Sequence, residues 1–254
     1  MRFLSRPATN HTLKNALAGV ACGVLLLPSL AAAQARPQTR AAQTRAPQAA
    51  QGIWVAPYIG LGVQSAYYDG VVQFSDGSSA FLTVDPGTSA VLGMQLGYRF
   101  NPKWTLQVNL STTSPNAQYI EDLTPRPDNT LRTNQFEAGV LYDATSFRVG
   151  RDKAPLSIGG GLSLTSHSMK QFTWNGNAIR PSTTSVGAHG LAALEIPLAP
   201  KLNFRGQAKV SVTPLALGDL EKKIAAAEGG GVTASLDSKT SIAFQMLFGV
   251  SYRP

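Results

Sequence analysis

His189, Ser211 and Glu195 are the side chains of this sequence whose types suit hydrolytic chemistry: a base, a hydroxyl nucleophile and an orienting carboxylate. Period-two alternation gives all three the same parity, so they share one face of neighbouring strands. That face is an interior where a serine has poor access to a lipid substrate, and a packed polar network is the simpler reading. A second pair, His167 and Ser168, is adjacent in sequence. Adjacent residues of a strand face opposite sides, and a base and nucleophile on one face need a His-x-Ser spacing instead. For metal chemistry the mature chain offers only His167 and His189, on separate strands, and no ligand cluster. Gly159-Gly160-Gly161 lies inside an alternating stretch and does not form a phosphate loop. The chain therefore reads as a non-enzyme with no metal and no cofactor.

The remaining polar candidates are charges. Glu195, Arg205, Glu137, Lys209, Arg99 and Lys239 all have inward parity. Glu195 and Arg205 fall opposite one another across a short turn, which predicts an interior salt bridge that the other four extend.

These side chains need strands to carry them, and the composition agrees. Only 14% of residues are charged, against about a quarter in ordinary soluble domains, while 43% are hydrophobic. The formal charge of +8 is concentrated at the N-terminus: Arg2, Arg6, Lys14, Arg36, Arg40 and Arg45 precede residue 53 with no acidic residue among them. Sixteen basic and fourteen acidic residues remain elsewhere, so a nucleic-acid-binding face is not indicated. Residues 1–33 read as a signal peptide: a basic stretch, an apolar run over Ala16–Leu30, and Ala31-Ala32-Ala33 before cleavage. Cys22, the one cysteine, lies within it, so the exported chain would have no disulfide. Residues 34–52 are Gln/Ala/Arg/Pro-rich with no apolar period and read as a disordered tether.

From residue 53 the pattern is period two. Leu202–Thr213 alternates without error, and Ile242–Tyr252 repeats the pattern with aromatic residues. Trp104–Ser111, Leu156–Ser166, Phe136–Tyr142, Val91–Phe100, Val55–Gln64 and Val186–Leu198 complete eight strands. One face is Leu, Val, Ile and aromatic; the other is Gly, Ser, Thr, Asn and Gln with isolated charges. A soluble lipocalin-like barrel would carry more Lys and Glu outside. A narrow polar interior with an apolar exterior fits a transmembrane β-barrel. The predicted fold is therefore all-β: an eight-stranded antiparallel up-and-down transmembrane barrel over residues 53–254, with ten strands as the alternative. Tyr98, Phe100, Trp104, Tyr142, Phe204 and Tyr252 sit near strand ends on the apolar face, where an interfacial girdle belongs.

Turns alternate short and long. Asn101-Pro102-Lys103 and Ala199-Pro200-Lys201 read as three-residue hairpin loops that pair Phe100 with Trp104 and Leu198 with Leu202. The long connections are 65–89, 112–131, 167–185 and 214–238. Val71–Val84 and Lys170–Ile179 read as hairpin extensions, and Asp219–Glu228 as a short helix capped by Asp219 with Leu220, Ile224 and Ala227 on one face. The segment from Asp143 to Pro155 is long for a turn at the short-loop end and is not placed.

The run Leu92-Gly93-Met94-Gln95-Leu96-Gly97-Tyr98-Arg99-Phe100 with its Pro-Lys-Trp turn, the Pro155–Leu162 strand and the aromatic last strand resemble the OmpA/OmpX/OmpW-type small outer-membrane barrel superfamily. That resemblance implies an outer-membrane location, contact with the lipid bilayer and lipopolysaccharide, insertion by the outer-membrane assembly machinery, and a monomer. It implies a structural or surface-interaction role. The alternatives are a narrow porin-like channel or small hydrophobic-molecule transporter, a lipid A-modifying outer-membrane enzyme, and a soluble lipocalin-like ligand-binding barrel. Chains of this type usually end on an aromatic residue, whereas here Arg253-Pro254 follow Tyr252.

Overall fold

Strict alternation leaves the backbone extended, with one row of side chains on each side, and every alternating stretch named above forms a strand. The structure is a computed structural model that describes residues 52–254 except 66, 115, 122, 123, 151, 171, 176, 230 and 238, and the backbone alone of 116–130. Residues 1–33, read above as a signal peptide, with Cys22, and all of the segment 34–52 read as a tether but Gly52 lie outside the described residues. In chain order the first strands are β1 (Gly52–Gln64), β2 (Tyr68–Phe74), β3 (Ser79–Asp85), β4 (Thr88–Arg99), β5 (Trp104–Thr113), β6 (Asn116–Glu121) and β7 (Thr124–Val149). There follow β8 (Asp152–Met169), β9 (Phe172–Trp174), β10 (Asn177–Ile179), β11 (Ser182–Ala199) and β12 (Leu202–Pro214). Helix α1 (Gly218–Glu228), β13 (Ala234–Ser235) and β14 (Thr240–Tyr252) complete the chain.

Eight of these strands close a barrel in the order β1–β4–β5–β7–β8–β11–β12–β14, with β14 pairing back to β1 and every pair antiparallel. Closure leaves no unpaired edge around the wall, which backbone polar groups in hydrocarbon require. Leu61 is 62% exposed and Leu162 67%, and the large apolar side chains of alternate positions all face outward in the same way. On β1 the outward row runs from Ile53 to Val63; at about 3.3 Å per residue and a tilt near 40° it stands roughly 25 Å tall, the height of a hydrocarbon band.

The structure departs from the sequence reading at several ends. β7 and β8 continue past the girdle as a two-stranded ribbon to Val149↔Asp152, turning at Gly150, whose φ is 61°. This ribbon is the segment after Asp143 that the alternation did not place, because a register shift between Asp143 and Thr145 breaks the period. Leu202 pairs with Ala199, not Leu198: the Pro200-Lys201 turn has two residues, and a shift between Pro197 and Ala199 absorbs the third. Asp219 does not cap α1. Leu217 holds the N-cap position, and Asp219 turns to β11, where it accepts the Ser182 N–H at 2.8 Å.

The long connections are folded. β2 and β3 pair as a hairpin, β9 and β10 as another, and α1 lies over them. Leu220 and Ile224 of α1 pack with Tyr68, Leu82, Phe172 and Trp174 in an apolar core outside the barrel. Tyr67 reaches down to meet His167 of the barrel wall edge-on at 5.3 Å between ring centroids. The loops thus form a lid with its own core. Glu228 fastens it by accepting the Trp174 indole N–H at 2.5 Å, and Asp219 pairs with Lys223 at 3.0 Å. Partial burial works against the Asp219 charge, but the Ser182 N–H and the Lys223 ammonium outweigh it and hold the carboxyl below the usual carboxylate range.

Candidate functional site

The barrel interior is built by the inward rows, and its polar residues gather at two levels. At the short-turn end Glu195 of β11 is directly opposite Arg205 of β12 in register. Arg205 Nη1 approaches Glu195 Oε1 at 3.4 Å, and Arg253, just past β14, donates to Glu195 Oε2 at 2.7 Å. Arg99 Nη2 stands 3.8 Å from the same carboxylate, while its Nη1 donates to Asp143 Oδ2 at 2.5 Å. Ser157 of β8 donates to Asp143 at 2.6 Å, Ser251 of β14 to Glu195 at 3.4 Å, and Arg205 to Gln107 of β5 at 2.8 Å. The Arg205 guanidinium also lies over the Trp54 ring of β1 at 4.3 Å, a cation–π contact. With the Gln207 amide turned to satisfy its neighbours, its carbonyl accepts from Arg205 Nε at 3.0 Å. This one cluster touches all eight strands of the barrel.

At mid-height Lys209 and Glu137 meet at 2.7 Å, with side chains 1% and 2% exposed. Asn109 donates to the same Glu137 oxygen at 2.5 Å and in turn accepts from the Tyr58 hydroxyl at 2.6 Å. Five of the six charged residues singled out by parity therefore lie in these two groups. The sixth, Lys239, does not: it precedes β14 on the lid side, with its ammonium 5.8 Å from the Tyr68 ring, because the inward row ends at Ser241 where the barrel does. Sequence reasoning passed over Asp143, Arg253 and Trp54. Arg253 continues the inward parity of β14, and Asp143 that of β7, so the signal was present in both.

Two glycines show how the lumen is filled. A side chain at Gly97 would collide with the Trp54 indole, and one at Gly93 with the Tyr58 ring, so both aromatics lie across the lumen on glycine floors. The two best-defined gaps among the described residues are lined by Glu137, His189 and neighbours, and by Tyr58, Arg205 and neighbours; neither admits a water molecule.

His189 and Ser211 are register partners, yet His189 Nδ1 and Ser211 Oγ have no hydrogen-bond partner. Glu195 is six residues further along β11 and engaged by arginines. His167 Nδ1 meets Thr133 Oγ1 at 2.9 Å instead of a serine. Among the described residues there is no group of three or more potential metal ligands.

The aromatic residues placed near strand ends cluster at the short-turn end. Trp104 and Tyr142 are register partners with ring centroids 4.9 Å apart, and Lys103 lies 5.8 Å over Tyr142. Tyr98, Phe100 and Tyr252 are exposed on the same rim, and Phe204 is half-buried against Phe248 at 6.4 Å.

A closed barrel with an apolar exterior, an aromatic rim and a charge-paired interior defines an integral outer-membrane protein. The chain belongs to the outer membrane protein beta-barrel domain family, whose match spans residues 23–223. Such a barrel sits in the lipid bilayer of the outer membrane, with short turns toward the periplasm and long loops outside. Among solved structures it is similar to the outer membrane protein OprG from Pseudomonas aeruginosa, at 15% identity over 80% of this chain and 96% of that one, with a TM-score of 0.51. Neisserial surface protein A (NspA) matches at 15% identity over 80% and 97%, TM-score 0.48. Ail, the attachment invasion locus protein of Yersinia pestis, matches at 12% over 81% and 100%, TM-score 0.43. No curated protein sequence matches the chain. The likeness to OprG is one of fold.

Proposed function

We propose that this chain is a non-enzymatic outer-membrane barrel with a sealed lumen, whose folded outer lid supplies a surface for interactions. The observation that carries this reading is the cluster centred on Glu195, which joins all eight strands across the lumen. An eight-stranded interior is just wide enough for side chains to fill it, and here the Tyr58 and Trp54 rings, the two ion-pair groups and the lid core stand in series along the axis. A hydrolase would need a nucleophile hydrogen-bonded to its base; His189 Nδ1 and Ser211 Oγ make no hydrogen bond to each other, which favours a packed interior over that alternative. Outward-facing specificity then belongs to the lid.

Planar-bilayer recording tests the sealing. The reconstituted protein is expected to give no stable conductance steps in 1 M salt. Reproducible steps from the folded protein would overturn the sealed-lumen reading in favour of a narrow channel.

A further inference from the structure

The outer rim of the barrel is not uniform around its circumference. On β7, β8 and β11 the outward row climbs through register-matched triplets. Phe136, Leu164 and Val186 are apolar, Asn134, Ser166 and Thr184 are polar, and Arg132, Ser168 and Ser182 follow. Lys170 and Arg180 continue the same outward parity two residues beyond Ser168 and Ser182, and Arg132, Lys170 and Arg180 are all exposed. Lys223 of α1 adds a fourth cation, its ammonium donating to the Arg180 carbonyl at 2.5 Å. Against these, the described carboxylates bonded in this sector are Asp219, engaged by Ser182 and Lys223, and Glu228, engaged by the Trp174 indole. Arg132, Lys170 and Arg180 have no ion-pair partner among the described residues. On the other five strands the outward positions nearest the lid-side strand ends are Ser65, Thr88, Thr112, Pro214 and Thr240, all uncharged.

From Phe136 to Arg132 is four residues, about 13 Å along a strand and roughly 10 Å of height once tilt is removed. Neighbouring strands are about 4.8 Å apart, and Lys170 and Arg180 stand two residues, about 7 Å, beyond the register row of Arg132. The three positions therefore fall within roughly 12 Å of one another just above the apolar band, within one headgroup's reach. We infer that Arg132, Lys170 and Arg180 form a binding site for the phosphate groups of a phosphorylated glycolipid in the outer leaflet. Its acyl chains lie along the Phe136–Leu164–Val186 surface while guanidinium and ammonium groups hold the phosphates. The lipid anchors the phosphate at the right height, so a free anion is a poor substitute. This site is separate from the lumen and does not depend on the lumen being closed.

The test is titration of lipid A bearing two phosphates into mixed micelles of the folded protein, read by fluorescence polarisation of a labelled lipid A. The wild type is compared with Arg132→Gln/Lys170→Gln/Arg180→Gln. The control is Lys103→Gln/Lys153→Gln/Lys201→Gln, which removes as many charges at the opposite end. Each variant is first shown to keep its folded gel mobility. The expected result is a loss of about fivefold for each outer charge removed and on the order of a hundredfold for all three, with the control near wild type. Dephosphorylated lipid A should bind the wild type as weakly as the triple variant, and millimolar inorganic phosphate should fail to compete. Equal binding by wild type and triple variant, equal loss in the control, no preference for the phosphorylated lipid, or full competition by phosphate would each overturn the inference.

Discussion

Glu195→Gln is expected to lower folding stability by about 3–5 kcal/mol, the penalty for stranding buried charge. Glu195 is the one carboxylate between Arg205, Arg253 and Arg99, at 3.4, 2.7 and 3.8 Å. Asp143 neutralises only Arg99. A neutral amide in its place leaves three guanidiniums to repel one another where little water can screen them. The fall in stability reads out as a lower urea midpoint in detergent micelles. Trp54 fluorescence serves as a local probe because its ring lies beneath Arg205. The double variant Glu195→Gln/Arg205→Gln should lose less than the sum of the two single changes, since each removes the other's unpaired charge. A single-variant loss below about 1 kcal/mol would mean the cluster behaves as a solvated surface pair.

Lys209→Met should be similarly severe, about 3–5 kcal/mol, and for a simpler reason. Glu137 would keep Asn109 as hydrogen-bond donor but lose the one cation paired with it among the described residues, at a depth where its side chain is 2% exposed. The pair can be retired together: Glu137→Gln/Lys209→Met replaces two buried ions with a neutral amide and an apolar side chain of similar reach. That double variant should recover most of the loss. Equilibrium unfolding of the three variants side by side checks this, and a double variant no better than Lys209→Met would contradict it. The two levels are separate clusters, so Glu195 and Lys209 changes should add.

Much of the wall was legible because alternation is local. Leu202–Thr213 announces its two faces residue by residue, and one register fixed at a turn carries along the whole hairpin. The reading of Ala199-Pro200-Lys201 was off by one at the tip. The shift at Leu198 absorbs the difference before Pro197↔Asn203, so Glu195 still faces Arg205. Parity likewise put Arg99, Glu137 and Lys209 on the inward face. It failed for Lys239, because parity says which side a residue takes and nothing about where the barrel ends. Asp143 escaped because the period breaks immediately after it. Trp54 escaped because an aromatic side chain inside a narrow barrel is possible only where a facing residue, here Gly97, has no side chain of its own. The lid was the least legible part. Leu82, Leu131, Phe172, Ile224 and Leu236 come from distant segments, and contacts of that kind leave no period in the sequence.

The claim on which everything else rests is that residues 52–254 close into a barrel that crosses the outer membrane. Heat-modifiable migration tests it most directly. The unboiled protein, extracted from the outer-membrane fraction in mild detergent, should run as a folded band with shifted mobility and convert on boiling to one near its full mass. The same mobility before and after boiling, together with recovery in the soluble fraction, would contradict the account.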